Sequence, residues 1–330
     1  PTLYIFGDSL SDVGTLKELT LGLVPPPPYW QGRFSSGPMW NEYLAPLLNY
    51  NLYNKAIGGS TSDNSHSSLI PLPIKIPSTQ DQINYFKFIH PFYSSSPTKF
   101  LDIAMLEIGA NDFFAEMFKL SANTLTVDSF IKTLSDTVVN QLEQLKNIGF
   151  RNIVVANLAA IQYTPMAGLL NMRDLANTTV TRYNQMLATK VNAWAKNANI
   201  GFFSIADIGG FVELTVNSGA ITTALGIKDV KTSCVGGNTL NLFEAQDKLS
   251  ALVQFIIDAK ENLMCSDPST NYFFDPVHPA ERVHRLFGYV GKEMVSAIVQ
   301  GQQFQLTEAN VLSIINKYHL GTPAPKPASV

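Results

Sequence analysis

The feature that most constrains the fold of this chain is a regular alternation of short apolar segments with longer amphipathic ones. The short segments are rich in strand-forming residues and are predicted as buried strands at Leu3–Gly7, Leu52–Ala56, Ile103–Ile108, Ile153–Ala156 and Gly201–Ile205. The longer segments have the apolar spacing of helices and are Met39–Leu48, Thr79–Ile89, Val127–Ile148, Leu175–Ala198, Leu242–Leu263, Ala280–Val299 and Thr307–Tyr318. This alternation predicts a parallel sheet that is covered by helices on both faces.

The composition indicates one large domain. The chain has 330 residues, of which 45% are hydrophobic, and no shift in composition divides it. We expect one domain over residues 1–320, followed by a Pro-rich linker or disordered tail over residues 321–330. The stretch Gly209–Gly237 is rich in Gly, Ser and Thr and is the region that these patterns assign least well.

Charge and hydropathy narrow the possible partners. Lys and Arg are scattered over a chain of net charge −3, which argues against nucleic acid or an anionic membrane as a partner. No apolar run approaches the roughly 18 residues that a membrane-spanning helix requires. Nothing in the sequence demands an oligomer, so a monomer is expected.

Several features point to an oxidising compartment. The chain begins at Pro1 and enters its first strand almost at once, as expected of a processed, secreted protein. Cys234 and Cys265 are the two cysteines, and we expect a disulfide between them, with two buried thiols as the alternative. Asn177 begins a sequon for N-linked glycosylation.

The stretch Phe6–Asp12 (FGDSLSD) contains a candidate nucleophile. It follows the first predicted strand and leads into polar residues that are typical of a helix start. Ser9 is therefore expected at the carboxyl end of a parallel strand, where α/β folds place their chemistry and where backbone N–H groups can stabilise a developing negative charge. A helix N-cap is the alternative role for this serine.

A candidate base lies near the end of the chain, in the stretch Asp275–Pro279 (DPVHP). Its prolines keep the backbone out of a regular helix, so Asp275 can accept a hydrogen bond from Nδ1 of His278 and leave Nε2 free for a serine proton. A helix cap beside a surface histidine is the alternative.

His284 is a weaker candidate for the base and lies inside a predicted helix. The histidines without a comparable partner in sequence are His66, His90 and His319. No metal-ligand spacing surrounds these residues, so no metal site is predicted.

Two further stretches follow predicted strands. Asn54–Ser60 (NKAIGGS) carries a glycine pair, which allows backbone N–H groups to approach a ligand closely. Glu107–Asp112 (EIGAND) carries Asn111, whose amide can donate to an oxyanion. An ordinary turn and a capping asparagine are the respective alternatives. Since both stretches and Ser9 follow parallel strands, the three should meet at one edge of the sheet.

Together these four stretches resemble the GDSL hydrolase family, which is also called SGNH. The nucleophile block of that family corresponds to Phe6–Asp12, its glycine block to Asn54–Ser60, its asparagine block to Gly109–Asp112 and its final block to Asp275–Pro279. The blocks stand in the family's order and span nearly the whole chain. Ser60 is the one departure, because a small apolar residue such as Ala is expected there.

The resemblance implies a flavodoxin-like three-layer α/β/α fold with a five-stranded parallel sheet. It also implies a serine esterase in which Ser9 is the nucleophile, His278 is the base and then the acid, and Asp275 orients His278. The oxyanion hole would consist of the N–H groups of Ser9 and Gly59 with the side chain of Asn111. Hydrolysis would pass through an acyl-enzyme, with no metal or organic cofactor.

The sequence says less about the substrate than about the catalytic residues. The stretch Pro28–Leu44 is similar to one in secreted fungal and bacterial members of the family, including acetylesterases and relatives of lipases and hemolysins. Trp30, Arg33 and Phe34 are therefore candidate groove residues, and an ester of a short acyl group with a carbohydrate or small alcohol is the expected substrate.

Two alternative functions also fit the sequence. A lipase or phospholipase would use apolar residues near the asparagine block for a longer acyl chain, although these residues equally fit a buried helix; they are Phe113, Phe114, Met117 and Phe118. A carbohydrate-binding protein without turnover belongs to another class. The presence of all five site residues argues against that class.

Overall fold

The computed structural model describes residues 1–65, 75–236, 247–258 and 264–322. Its central sheet contains five parallel strands: β1 (Thr2–Phe6), β2 (Asn51–Asn54), β3 (Ile103–Leu106), β4 (Asn152–Ala156) and β5 (Phe202–Ala206). Their order in the sheet is β2-β1-β3-β4-β5, which is the flavodoxin-like order. The five predicted strands and the predicted fold class are thus confirmed, with strand ends displaced by one or two residues.

The register aligns the strands that carry the predicted site. Leu3 of β1 pairs with Leu52 of β2 on one side and with Ile103 of β3 on the other. Because all three strands run in the same direction, the loops that follow them meet at one edge of the sheet. The carboxyl end of β1 lies between those of β2 and β3, where the order of the strands reverses.

Each of the seven predicted helices has a counterpart in the described part of the chain, and five further helices accompany them. In chain order they are α1 (Thr15–Leu19), α2 (Trp40–Leu47), α3 (Thr79–Ile89), α4 (Ala110–Ser121), α5 (Val127–Ile148), α6 (Pro165–Leu169), α7 (Arg173–Ala198), α8 (Ile208–Asn217), α9 (Gly219–Leu225), α10 (Lys248–Ile257), α11 (Glu281–Val299) and α12 (Glu308–Tyr318). Of the predicted helix Leu242–Leu263, the first and last five residues lie outside the described part of the chain.

Local capping explains why the helix ends are predictable. Ser78 accepts a hydrogen bond from the Asp81 N–H and begins α3, while Thr126 begins α5 in the same way. Gly149 ends α5 in a positive-φ conformation, at φ 130°. The apolar residues after the asparagine block lie on α4, where Phe113, Phe114 and Met117 are buried and Phe118 is 42% exposed.

Apolar residues pack on both faces of the sheet and produce three layers. Leu3 and Ile5 of β1 belong to a cluster that includes α2 and α11, whereas Phe6 belongs to a second cluster with α3, α5 and α7. Successive side chains of a strand point to opposite faces, which explains the division. No helix within the described residues is long and apolar enough to cross a membrane.

The stretch Gly209–Gly237 contains structure that the sequence patterns do not reveal. It holds most of α8, all of α9 and a short strand, β6 (Asp229–Ser233), which pairs in parallel with β7 (Asn271–Phe273). β6 is mostly exposed or half-buried, so it lacks the apolar pattern of a core strand. The small sheet matters for the site because β7 leads directly into Asp275.

Candidate active site

Ser9 lies in the turn between β1 and α1 and is almost completely buried. The carboxylate of Asp12 holds this turn by accepting hydrogen bonds from the N–H groups of residues 14–16 and from that of Gly58. Burial raises the pKa of Asp12 to about 6, and the four N–H groups limit the rise. Asp12 therefore ties the serine turn to the glycine block.

His278 contacts Ser9 directly. Its Nε2 lies 2.7 Å from the Ser9 hydroxyl, and its Nδ1 lies 2.6 Å from Oδ2 of Asp275. The other carboxylate oxygen of Asp275 accepts the N–H groups of Val277 and His278 at 2.8 and 2.7 Å. The three residues thus form one hydrogen-bonded chain, in the order that the sequence predicts.

Tyr29 is a member of this network that the sequence patterns do not reveal. Its hydroxyl donates to Oδ2 of Asp275 at 2.6 Å, the same oxygen that contacts the imidazole. Burial raises the pKa of Tyr29 well above its ordinary value, and the Asp275 charge raises it further, so the hydroxyl keeps its proton. The only signal in the sequence is its place at the end of the Pro-rich loop Val24–Tyr29.

The predicted groove residues divide into two groups. Phe34 is buried beside His278, with ring centroids 5.3 Å apart. Arg33 instead pairs with Glu42 at 2.5 Å and lies over the ring of Trp30. Among the described residues, Trp30 and Arg33 lie outside the linings of both cavities at Ser9. The role of Trp30 and Arg33 in a substrate groove therefore stays a prediction.

The predicted oxyanion residues lie beside Ser9. Gly59 adopts a positive φ of 84°, and Gly59 and Asn111 line one cavity together with Ser9. Asn111 stands at the start of α4, and its Nδ2 donates to the carbonyl of Ser60 at 2.8 Å. An amide nitrogen carries two donor hydrogens, so this bond orients the side chain and leaves one hydrogen for a ligand.

Ser60, the departure from the family pattern, has a structural role. Its buried hydroxyl donates to the carbonyl of Pro77 at 2.7 Å and accepts from Nε2 of Gln82 at 3.0 Å. Gln82 also bonds both the N–H and the carbonyl of Gly7. The hydroxyl is therefore satisfied and joins the glycine block to the end of β1.

A second pair of acidic groups lies next to Ser9. Oδ1 of Asp8 accepts the Leu10 N–H at 3.0 Å, while Oδ2 is buried without an N–H or hydroxyl donor among the described residues. The Asp8 side chain instead pairs with the carboxyl group of Glu107, which also accepts from the Ser11 hydroxyl at 3.1 Å. Two carboxyl groups can bond to each other only when one of them is protonated.

The pKa shifts of this pair agree with a shared proton. Burial, and then the negative charge of Glu107, raises the pKa of Asp8 well above its ordinary range. Burial raises the pKa of Glu107 to about 7, although hydrogen bonds from Ser11 and Asp8 oppose the rise. Both shifts favour the protonated forms of these buried carboxyl groups near neutral pH. No spacing rule in the sequence connects these two residues.

Two small cavities meet at Ser9 and His278, with volumes of about 60 and 20 Å³. The apolar side chains that line the larger cavity are Leu10, Ala110, Phe114, Ala159, Ala160, Ile161, Ile208, Val212, Leu252, Phe273, Val277 and Pro279. Those that line the smaller one are Leu16, Val24, Phe34, Leu249, Leu252, Val253 and Ile256. The helix α10 thus packs over the site, and its Leu252 contributes to both cavities.

The remaining predicted residues lie outside this network. The predicted disulfide joins Cys234 and Cys265 and closes the segment that contains α10. Asn177 is exposed on α7, and its glycosylation stays a prediction. His284 is buried, and burial lowers its pKa to about 3, so it stays neutral.

Of the other histidines that the structure describes, neither His90 nor His319 contacts Ser9, His278 or Asp275. His90 contacts the hydroxyl of Tyr53, His319 ends α12, and His66 lies outside the described residues. Across the described ranges, no group of His, Cys, Asp and Glu side chains is arranged for a metal ion. The boundary between the domain and its Pro-rich tail stays a prediction, because residues 323–330 are not described.

Comparison with known proteins agrees with this geometry. The model of the GDSL-like Lipase/Acylhydrolase family matches residues 3–289. A phosphatidylcholine-sterol acyltransferase of Aeromonas hydrophila is 24% identical over 307 residues, covering 86% of this chain and 86% of that protein. The GDSL esterase/lipase At3g14820 of Arabidopsis thaliana is 23% identical over 325 residues, covering 87% of each.

Among solved structures, Est24, a carbohydrate acetylesterase from Sinorhizobium meliloti, aligns with a TM-score of 0.41 and 13% identity. The alignment covers 90% of this chain and 99% of that one. The resemblance stated from the four sequence blocks is confirmed by the family match, which spans most of the chain. This chain therefore belongs to the GDSL-like lipase/acylhydrolase family and is a carboxylic ester hydrolase.

Proposed function

We propose that ester hydrolysis by this protein passes through an acyl-enzyme on Ser9. The hydrogen-bonded chain from Ser9 through His278 to Asp275 carries this proposal. Nε2 of His278 takes the hydroxyl proton as Oγ of Ser9 attacks the ester carbonyl, and it then delivers that proton to the departing alkoxide. Water repeats the sequence on the acyl-enzyme and releases the acid. Asp275 stabilises the imidazolium that forms in each half-reaction.

The negative charge on the carbonyl oxygen also needs donors. The N–H groups of Ser9 and Gly59 and the free amide hydrogen of Asn111 are the candidates beside the serine. Such donors act strongly in a buried site because little water competes with them, and one donor typically contributes about 3–4 kcal/mol to the barrier. Their fixed positions support a tetrahedral intermediate in the proposed mechanism.

We further propose that the acyl group is an apolar chain longer than acetyl. The lining of the larger cavity supports this, since its wall opposite the catalytic groups consists of aliphatic and aromatic side chains with one hydroxyl, that of Thr164. A sugar requires more polar partners than this wall supplies. The Aeromonas relative, which is a phosphatidylcholine-sterol acyltransferase, is consistent with a lipid substrate.

The short-acyl carbohydrate ester that the sequence predicts is the second candidate. A cavity of about 60 Å³ is close to the size of an acetyl group, so this arrangement favours acetate unless side chains such as Leu252 move aside. The two substrates therefore predict opposite dependences of the rate on acyl-chain length.

We also propose that the protein acts outside the cytosol. The disulfide between Cys234 and Cys265 supports this, because such bonds persist in oxidising compartments. Asn177 is exposed, as N-linked glycosylation requires of the acceptor, while Thr179 of the same sequon is buried. Fractionation of the producing cells, with analysis of the Asn177 peptide by mass spectrometry, would test both points.

The first experiment is hydrolysis of p-nitrophenyl esters from acetate to palmitate by the wild type and Ser9→Ala. We expect kcat to rise with chain length and to fall about 10⁴-fold or more in the variant. The matched control is Ser313→Ala, an exposed serine on α12, which should retain full activity. Mass spectrometry of acid-quenched enzyme should find the acyl group on the Ser9 peptide.

The dependence of the rate on chain length separates the two candidate substrates, and the activity of Ser9→Ala tests the mechanism. A steep fall in rate beyond acetate would favour the short-acyl candidate and acetylated sugars as the next substrates to test. Full activity of Ser9→Ala, or an acyl group on another residue, would disprove the proposed mechanism.

A further inference from the structure

Three leucines project into solvent on one short loop beside the candidate active site. Leu19, Leu21 and Leu23 are 45%, 93% and 65% exposed, and we call residues 19–23 the leucine loop. A single exposed leucine is ordinary on a protein surface, but three exposed leucines within five residues place a large apolar area on one short segment.

The leucine loop is held in place by its backbone. The buried Thr20 hydroxyl donates to the carbonyl of Leu16 at 2.9 Å and accepts the Val24 N–H at 3.0 Å. Leu21 adopts φ 54°, in the left-handed region that is unfavourable for a residue with a side chain. The Gly22 N–H donates to the carbonyl of Lys17 at 2.7 Å. Internal hydrogen bonds thus hold the leucines outward.

The loop is continuous with the site. Leu16 and Val24, which flank it on either side, line the cavity that contains Ser9 and Gly59. The N–H of Leu16 is held by Asp12, whose carboxylate also accepts the N–H of Gly58 in the glycine block. The leucine loop therefore stands at the rim of the cavity and is rigidly connected to the serine turn.

We propose that the leucine loop inserts into the surface of a phospholipid bilayer and brings the site to a lipid ester there. This inference rests on the proposed preference for apolar acyl chains. The loop carries one basic and one acidic neighbour, Lys17 and Glu18, which offset each other. A zwitterionic surface fits this balance better than an anionic one, and the attraction comes from burial of the leucines.

The test compares vesicle binding with hydrolysis of a dissolved ester. The leucine-loop variant combines Leu19→Ser, Leu21→Ser and Leu23→Ser, and binding is measured by sedimentation with phosphatidylcholine vesicles. Burial of one leucine corresponds to about a tenfold change in partition, and partial insertion of three predicts a loss of about 100-fold. Hydrolysis of dissolved p-nitrophenyl acetate should stay within twofold of the wild type.

A second exposed apolar patch provides the matched control. Phe88 and Phe92, at the end of α3 and just beyond it, are 79% and 81% exposed and contribute to neither cavity at Ser9. The combined variant Phe88→Ser and Phe92→Ser should bind vesicles as the wild type does. Ser9→Ala should also bind normally, which separates binding from turnover.

Several results would overturn the inference. These are an absence of wild-type binding to phosphatidylcholine vesicles, binding to anionic vesicles alone, unchanged binding by the leucine-loop variant, and an equal loss in the phenylalanine control. If the wild type hydrolyses no ester but binds vesicles through the leucine loop, the proposed function fails while the surface assignment stands.

Discussion

Two buried aspartates lie close to the nucleophile, and their pKa values shift in opposite directions. Asp8 precedes Ser9 in the serine turn, and Asp275 contacts His278. Burial raises the pKa of both carboxyls, but that of Asp275 is lowered overall because the His278 charge and hydrogen bonds from His278, Tyr29 and the Val277 N–H outweigh the burial. Asp8 has one N–H donor and an acidic neighbour, so its pKa stays raised.

The comparison teaches that burial alone does not decide the charge of a carboxyl group. The donors around it decide whether the ionised or the protonated form persists. In this protein the arrangement leaves Asp275 ionised, as required to stabilise an imidazolium, whereas the raised pKa values of Asp8 and Glu107 favour their protonated forms. Asp275 contacts His278, whereas Asp8 accepts the Leu10 N–H within the serine turn.

The largest expected effect comes from exchanging the carboxylate for an amide at Asp275. Asp275→Asn should lower kcat about 10⁴-fold, because the amide stabilises the wrong tautomer of His278 and no longer offsets its positive charge. Asp8→Asn should lower kcat less than tenfold, because the amide can still donate to Glu107. Steady-state kinetics on one p-nitrophenyl ester measures both. Equal losses in the two variants would contradict the assigned difference.

A smaller loss of kcat is expected when Tyr29 is changed. Tyr29→Phe removes one donor from Asp275 and should lower kcat about tenfold, since a hydrogen bond to a charged group contributes about 1.5–3 kcal/mol and His278 remains in place. The acid limb of the pH–rate profile should move to higher pH, because Asp275 loses a hydrogen bond that lowers its pKa and the carboxylate is then protonated more readily. A fall in activity without any change in the pH profile would instead indicate a packing role. The matched control is Tyr163→Phe, a tyrosine outside this network.

The last effect concerns stability rather than turnover and lies at the Asp8–Glu107 pair. The pKa of Glu107 is about 7 in the folded state against 4.5 as its ordinary value, so the folded state binds more protons between these pH values. The free energy of unfolding contributed by this group therefore falls as pH rises from about 4.5 to 7. In Glu107→Gln the side-chain amide can still donate a hydrogen bond but does not titrate. This loss of unfolding free energy with rising pH should therefore disappear in the variant.

Denaturant unfolding at pH 5 and pH 8 measures this difference. We expect the wild type to lose about 2–3 kcal/mol relative to Glu107→Gln between the two values, because all other titrating groups are common to both proteins. The sign is opposite to that of Asp275, whose lowered pKa contributes stability that is lost as pH falls. Parallel pH dependences of wild type and variant would show that the pair holds no shared proton.

The sequence predicted the parts of the fold that depend on local chemistry. The strand at Thr2–Phe6 follows from an apolar run, and the helices α3 and α5 begin at Ser78 and Thr126 because a side-chain oxygen can cap an N–H three residues ahead. The link between Asp275 and His278 was also predictable, since the two residues are three positions apart in a turn that proline constrains.

The sequence alone determined the five strands of the central sheet, seven of the helices, the class of fold and the stretches that carry Ser9, Gly59, Asn111 and His278, because each is encoded by neighbouring residues. Tertiary structure decided which distant groups meet. Tyr29 and Asp275 are 246 positions apart, and Glu107 is almost 100 positions from Asp8. No periodicity specifies such pairs, since they depend on how loops from different strands pack at one edge of the sheet. The pKa values follow from those contacts and from burial, and for that physical reason only the folded chain fixes them.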